Sequence, residues 1–110
     1  MININELRIG NYIQDGKVEQ INNGIDEVYY SGDGYYQSDY CCNLNPIPLT
    51  EEWLFKFKYF KIEHKECNFV VKGHTIWICN NMYLCEKNGI ILKHVHQLQN
   101  LYFALTNKEL

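Results

Sequence analysis

The chain has no apolar run near the twenty or so residues of a membrane-spanning helix, so no membrane span is expected. Met1 to Glu6 carry no basic stretch followed by an apolar one, so no secretory signal is expected there. None of the five cysteines belongs to a C-x-x-C pair, and in a chain expected to stay in a cytoplasm they read as reduced thiols. There is no G-x-S-x-G elbow, and the glycines form neither a phosphate-cradling loop nor a dinucleotide fingerprint. Base is absent from one whole segment: residues 26–40 hold no lysine or arginine. These gaps argue against a membrane protein, a disulfide scaffold, a serine hydrolase and a nucleotide-binding enzyme.

The sequence holds 110 residues, 46% hydrophobic and 15% aromatic, enough for one modest core and too apolar for a disordered chain. A single domain over 1–110 is expected. Net charge is −3 but uneven. Residues 1–52 hold nine acids and two bases, whereas residues 53–110 hold four acids and eight bases. Such asymmetry marks either an acidic partner-facing surface or two halves that attract each other as they pack.

The densest apolar stretch, Asn45 to Phe57, reads as an extended approach held by Pro46 and Pro48, followed by a helix start. Thr50 is placed to cap with its hydroxyl, and Glu51 and Glu52 suit the positive end of the helix dipole. Leu49 and Leu54 have the spacing of a hydrophobic staple. The helix is expected from Glu51 to about Lys58, with Trp53, Leu54, Phe57 and Tyr59 or Phe60 as its apolar stripe.

Upstream, short strands are expected at Leu7–Ile9, Tyr12–Ile13, Val18–Ile21 and Ile25–Tyr30, with hairpin turns at Asp15-Gly16 and Asn22-Asn23-Gly24. They predict a small, strongly bent sheet of SH3-like kind. Tyr35 to Cys42 reads as a further strand after the loose Ser31-Gly32-Asp33-Gly34. Downstream, residues 67–93 predict an antiparallel meander, with turns at Lys72-Gly73-His74, Asn80-Asn81 and Asn88-Gly89. Val95, Leu98, Leu101, Tyr102 and Leu105 fall on one face of a helix from about His96 to Thr106, with Asn107 as a left-handed cap. The fold class is therefore α+β: an N-terminal curved antiparallel sheet, a central helix, a second meander and a C-terminal helix. The two helices should pack on sheet through Trp53, Leu54, Phe57, Leu98, Leu101 and Leu105.

Residues 26–40 carry five tyrosines and four acids. Tyrosine offers large contact area and a hydroxyl at low entropic cost, and is enriched where partners dock. The competing reading is aromatic pairing across a sheet. The partner-binding residues expected here are Asp26, Glu27, Tyr29, Tyr35, Tyr36, Asp39 and Tyr40. A second binding reading uses Lys56, Lys58 and Lys61 among aromatics for single-stranded nucleic acid, against an acidic pI of about 5.7.

Catalysis and metal binding draw little support. Among His64, Cys67, His74, Cys79, Cys85, His94 and His96, only His64-x-x-Cys67 has zinc-knuckle spacing, so no metal and no cofactor are expected. Cys41 or Cys42 with His94 or His96 as base has no recognisable signature around it. Asp26/Glu27 and Glu51/Glu52 are carboxylate pairs, and the helix dipole already accounts for the second. No enzymatic activity is expected.

Three stretches together resemble a family of small proteins from Bacteroidota phages and prophages: Glu6 to Ile13 (ELRIGNYI), Asn45 to Leu54 (NPIPLTEEWL) and His94 to Thr106 (HVHQLQNLYFALT). The family often has glycine just after each helix, where this chain has Lys58 and Asn107, so the first helix is expected to run on or end differently. The resemblance carries no catalytic residue. It implies a life in the cytoplasm of an infected bacterium, where small accessory proteins commonly inhibit host enzymes. The expected function is therefore non-enzymatic binding of a host protein, inhibiting a defence nuclease in the anti-CRISPR manner. A nucleic-acid-binding accessory protein and a phage structural or assembly protein are the alternatives.

Overall fold

The computed structural model describes residues 2–32, 34–62, 65–71, 74–79, 82–85 and 90–110. The architecture is α+β and clusters into two compact units: residues 1–47 with 94–110, and residues 48–93.

The first unit holds β1 (Tyr12–Ile13), β2 (Gly16–Asn22), β3 (Glu27–Gly32), β4 (Tyr35–Tyr40) and the helix α2 (Val95–Thr106). The strands form an antiparallel sheet in the order β1-β2-β3-β4. Leu7–Ile9 is not a strand. A 3-10 turn at Ile4–Glu6 stands before it, started by the Asn3 side chain accepting the Asn5 amide at 2.9 Å. The Asn11 Oδ1 then holds the Arg8 amide at 2.7 Å and keeps that segment off the sheet.

A β-bulge between Val18 and Gln20 lets Val18 pair with Tyr30 and Ile21 with Val28. Strict alternation would send Val18 and Ile21 to opposite faces, but one extra residue returns both to the core side. That side holds Ile2, Leu7, Ile13, Val18, Val28, Tyr30, Cys41 and Leu44. Ile25 and Asp26 belong to the loop before β3, where Asp26 adopts φ 54°. Gly32 pairs with Tyr35, closing a tight hairpin at the point expected to be loosest.

On α2 the buried face is Val95, His96, Leu98, Gln99 and Tyr102. Leu105 is 38% exposed, contrary to the expected stripe, because two polar residues take part of the inner face.

The second unit contains α1 (Glu51–Lys56) and five strands, β5 (Phe60–Ile62), β6 (Lys65–Val71), β7 (His74–Cys79), β8 (Met82–Cys85) and β9 (Ile91–Leu92), paired in sequence order. This is the expected meander, with β5 added. The turns at 72–73, 80–81 and 88–89 lie outside the described residues. Thr50 is the N-cap residue, but its hydroxyl makes no capping bond. Leu49 and Leu54 are both buried, as a staple requires.

The helix ends at Lys56, short of the expected Lys58. The Tyr59 amide donates to the Leu54 carbonyl at 2.9 Å and the Lys58 amide to the Phe55 carbonyl at 3.0 Å. This is the Schellman bond pattern, and Lys58 takes its left-handed position at φ 70°. Asn107, at φ 59°, ends α2 with one bond from its amide to the Phe103 carbonyl at 2.7 Å. Both positions keep a glycine-like backbone without glycine. Lys58→Gly is expected to raise stability by about 0.5–1 kcal/mol, since left-handed backbone strains a side chain. Urea unfolding checks this, and a loss of stability would show that the lysine side chain contributes more than its backbone strains.

Candidate partner-binding face

The seven residues expected to bind a partner all lie in β3, β4 or the loop before them, but not on one face. Antiparallel register pairs Glu27 with Tyr40, Tyr29 with Ser38 and Ser31 with Tyr36, so these side chains share one side of the sheet. Val28, Tyr30, Asp39 and Gln37 project on the other side, where Val28 and Tyr30 enter the core. Glu27, Tyr29, Tyr36 and Tyr40 therefore form the outer face. Tyr35 and Asp39 stand on the reverse side, and Asp26 flanks both from its loop.

Tyr35, Tyr36 and Tyr40 are 67%, 60% and 53% exposed. The rings of Tyr29 and Tyr36 stack with centroids 6.0 Å apart and planes inclined by 23°. Cross-strand aromatic pairing and surface exposure thus hold together. The neighbouring Glu27 carboxylate, as hydrogen-bond acceptor and as negative charge, pushes the Tyr29 phenol above the ordinary tyrosine range. Ser31 Oγ donates to Glu19 Oε1 at 2.8 Å and Tyr36 Oη to Gln20 Oε1 at 3.5 Å, so the bulged strand supports the same face. Asp39 Oδ1 accepts from Asn43 Nδ2 at 2.9 Å and from the Tyr40 amide at 2.7 Å.

Beside this face lies a cleft of about 390 Å³, missed in the sequence. Ile2, Ile4, Ile25 and Tyr40 supply its apolar wall, with Asp26 and Cys42 beside them. Ile25, 54% exposed after an Asn-Gly turn, was the available signal.

A polar network fixes the other end of the unit. Gln99 Oε1 accepts the Tyr12 amide at 2.8 Å, and its Nε2 donates to the Gly10 carbonyl at 3.0 Å. Asn100 Oδ1 accepts from Asn11 Nδ2 and from Arg8 Nη1, each at 2.9 Å. The Arg8 guanidinium lies 3.9 Å from the Phe103 ring centroid and pairs with Glu109. Gln14 joins the middle stretch, its amide donating to the Asn45 carbonyl at 3.1 Å and its Nε2 to the Pro46 carbonyl at 3.0 Å. The residues of Glu6–Ile13 and His94–Thr106 thus meet in one clasp, tied to the start of Asn45–Leu54. Their role here is to hold the sheet.

His96 is fully buried, with Nε2 3.3 Å from Glu6 Oε2, its ring stacked on His94 and Nδ1 lacking a hydrogen-bond partner among the described residues. Burial lowers its pKa from 6.5, against the raising effect of Glu6, and His94 adds to the lowering. The unfolded chain then takes up a proton near pH 6.5 that the folded chain resists. Stability is complete above that pH and is expected to fall as the pH drops through it. Urea midpoints between pH 5 and 8 check this, and a flat profile would contradict it.

The remaining expectations divide. The Cys41 thiol donates to the Ile2 carbonyl at 3.1 Å, and burial first, then Asp26, pushes its pKa up. Cys42 is exposed, with Sγ 3.7 Å from Asn43 Oδ1. Among the described residues no group of three or more His, Cys, Asp or Glu could hold a metal ion, and His64 lies outside those residues. Lys56 Nζ sits 4.5 Å from the Trp53 ring centroid, Lys58 is exposed in the Schellman turn, and Lys61 lies in β5. No helix is long and apolar enough to cross a membrane, among the described residues. No family model, curated protein or solved structure matches the chain.

Proposed function

We propose that this protein acts by binding another protein through the acidic, tyrosine-bearing sheet surface around β3 and β4. The observation that carries the reading is the grouping of Glu27, Tyr29, Tyr36 and Tyr40 on one solvent-facing side, flanked by Asp26. Aromatic side chains there offer contact area, and the carboxylates select a basic partner and speed its approach. The partner class that fits is a basic, nucleic-acid-handling protein. The likeness of the three anchor stretches to small Bacteroidota phage proteins supports the finer reading, an anti-CRISPR-like inhibitor of a host defence nuclease in the bacterial cytoplasm. The protein works without a catalytic residue or cofactor of its own.

The test is capture from bacterial lysate with the tagged chain as bait, before and after nuclease treatment. A basic protein that survives nuclease treatment and whose activity is inhibited on addition of the chain is the expected result. Partners that vanish with the nucleic acid would instead favour the lysines of the second unit, and recovery of bait alone would contradict host-protein binding.

A further inference from the structure

We propose that β4 is a strand-addition site whose occupant is an extended, basic segment of another protein. This rests on the binding reading above and states how the surface is used. β4 is the outer strand of its sheet. Six consecutive pairs, from Glu27 with Tyr40 to Gly32 with Tyr35, join it to β3 without a bulge. The Cys41 amide donates to the Asp26 carbonyl at 2.7 Å, continuing that ladder. In an antiparallel ladder every second residue exchanges both bonds with its partner. Tyr35, Gln37 and Asp39 therefore direct their backbone groups to β3. Those of Tyr36, Ser38 and Tyr40 point outward, and the Asp39 carboxylate reaching the Tyr40 amide at 2.7 Å agrees with that direction. Natural sheet edges are commonly blunted by lysine, proline or a bulge. β4 has none of these.

Charge selects the occupant. A second copy of β4 would bring its Asp39, with Glu27 of β3 and Asp26 beside it, towards the same three carboxylates, and residues 26–40 hold no base to offset them. A segment with lysine or arginine at alternate positions meets opposite charge instead. On one side of the added strand its cations lie beside the exposed rings of Tyr36 and Tyr40, which attract them. In the register shifted by one residue they lie on the other side, beside Asp39. At the Tyr40 end of β4 the 390 Å³ cleft offers Ile2, Ile4 and Ile25 to an aliphatic stem and Asp26 to its charged head. Main-chain bonds would supply affinity and these side-chain contacts specificity.

The probe is a synthetic heptapeptide alternating arginine and valine, with a counterpart carrying glutamate for every arginine. Each is titrated into the isotope-labelled full chain at low salt and followed by amide shifts and hydrogen exchange. The arginine peptide is expected to shift Asp26, Tyr36, Ser38 and Tyr40, to slow exchange at Ser38, and to bind at least tenfold more tightly than its counterpart. Ser38→Pro removes one outward donor and leaves the β3 ladder complete. It is expected to weaken the arginine peptide tenfold or more at an unchanged melting midpoint. Ser38→Lys, which retains the whole backbone and adds a repelling charge, serves if the proline lowers that midpoint.

Arginine-selective binding that both Ser38 variants leave intact would overturn strand addition and leave the acidic-surface reading standing. Equal affinity for the two peptides would overturn the choice of a basic occupant, and no binding of either would overturn strand addition. A peptide-free dimer with protected β4 amides would assign the edge to a second copy and overturn the proposal.

Discussion

Gly16→Ala is expected to cost about 3–5 kcal/mol, from positive-φ strain and overpacking together. Gly16 has φ 150°, and an added Cβ would stand 2.1 Å from the Ser31 carbonyl oxygen. Across the same contact, a Cβ on Gly32 would stand 2.5 Å from the Asp15 carbonyl oxygen. Both obstacles are backbone, so no flexible side chain can swing aside. The two glycines let the β1–β2 turn lie directly on β3. Gly34→Ala is the control, because it shares a positive φ, at 81°, but meets nothing within 4 Å. It is expected to cost only about 1–2 kcal/mol of backbone strain. Urea unfolding of both variants checks the difference. Equal losses would show that the close approach contributes nothing beyond backbone conformation.

Gln99→Leu is expected to cost about 2–5 kcal/mol, since two backbone groups lose their partner at once. Leucine nearly preserves side-chain volume, but the Tyr12 amide and the Gly10 carbonyl are then left without the amide group that serves them. Gln99 is 2% exposed, so water does not reach it without rearrangement. Calorimetric melting measures the loss. A variant as stable as the wild type would mean that water or a shifted β1 satisfies both groups, and that the clasp does not hold the sheet.

Much of the fold was legible because period and turn chemistry are local. Tyr12–Ile13, the meander strands and α2 followed from alternation, turn residues and a 3.6-residue repeat. Leu7–Ile9 failed because the Asn11 side chain takes the Arg8 amide, after a 3-10 turn that the Asn3 side chain caps at the Asn5 amide, in place of a sheet. The Asp15-Gly16 hairpin formed, yet its glycine serves chiefly to let β3 approach, a contact fifteen residues away in the chain that no local pattern encodes. Hydropathy also hid Gln99 and His96, two polar residues on the inner face of a helix.

For the binding surface, composition marked the right segment but could not divide it. Tyr35 and Tyr36 are neighbours in the chain and opposites in the sheet. Only the register with β3 shows that Tyr36 and Tyr40 share a side with Glu27 and Tyr29. The edge itself was equally hidden, since whether β4 lacks an outer neighbour depends on the whole strand order.

The central claim is that acids beside exposed tyrosines dock a basic protein. The most direct measurement is the affinity of the captured partner against salt concentration, for the wild type and for Asp26→Asn/Glu27→Gln/Asp39→Asn together. The wild type should bind with steep salt dependence, and the triple variant should bind tenfold or more weakly at low salt with a flattened slope. Matching affinities and slopes, with the variant still folded, would contradict the assignment of this surface.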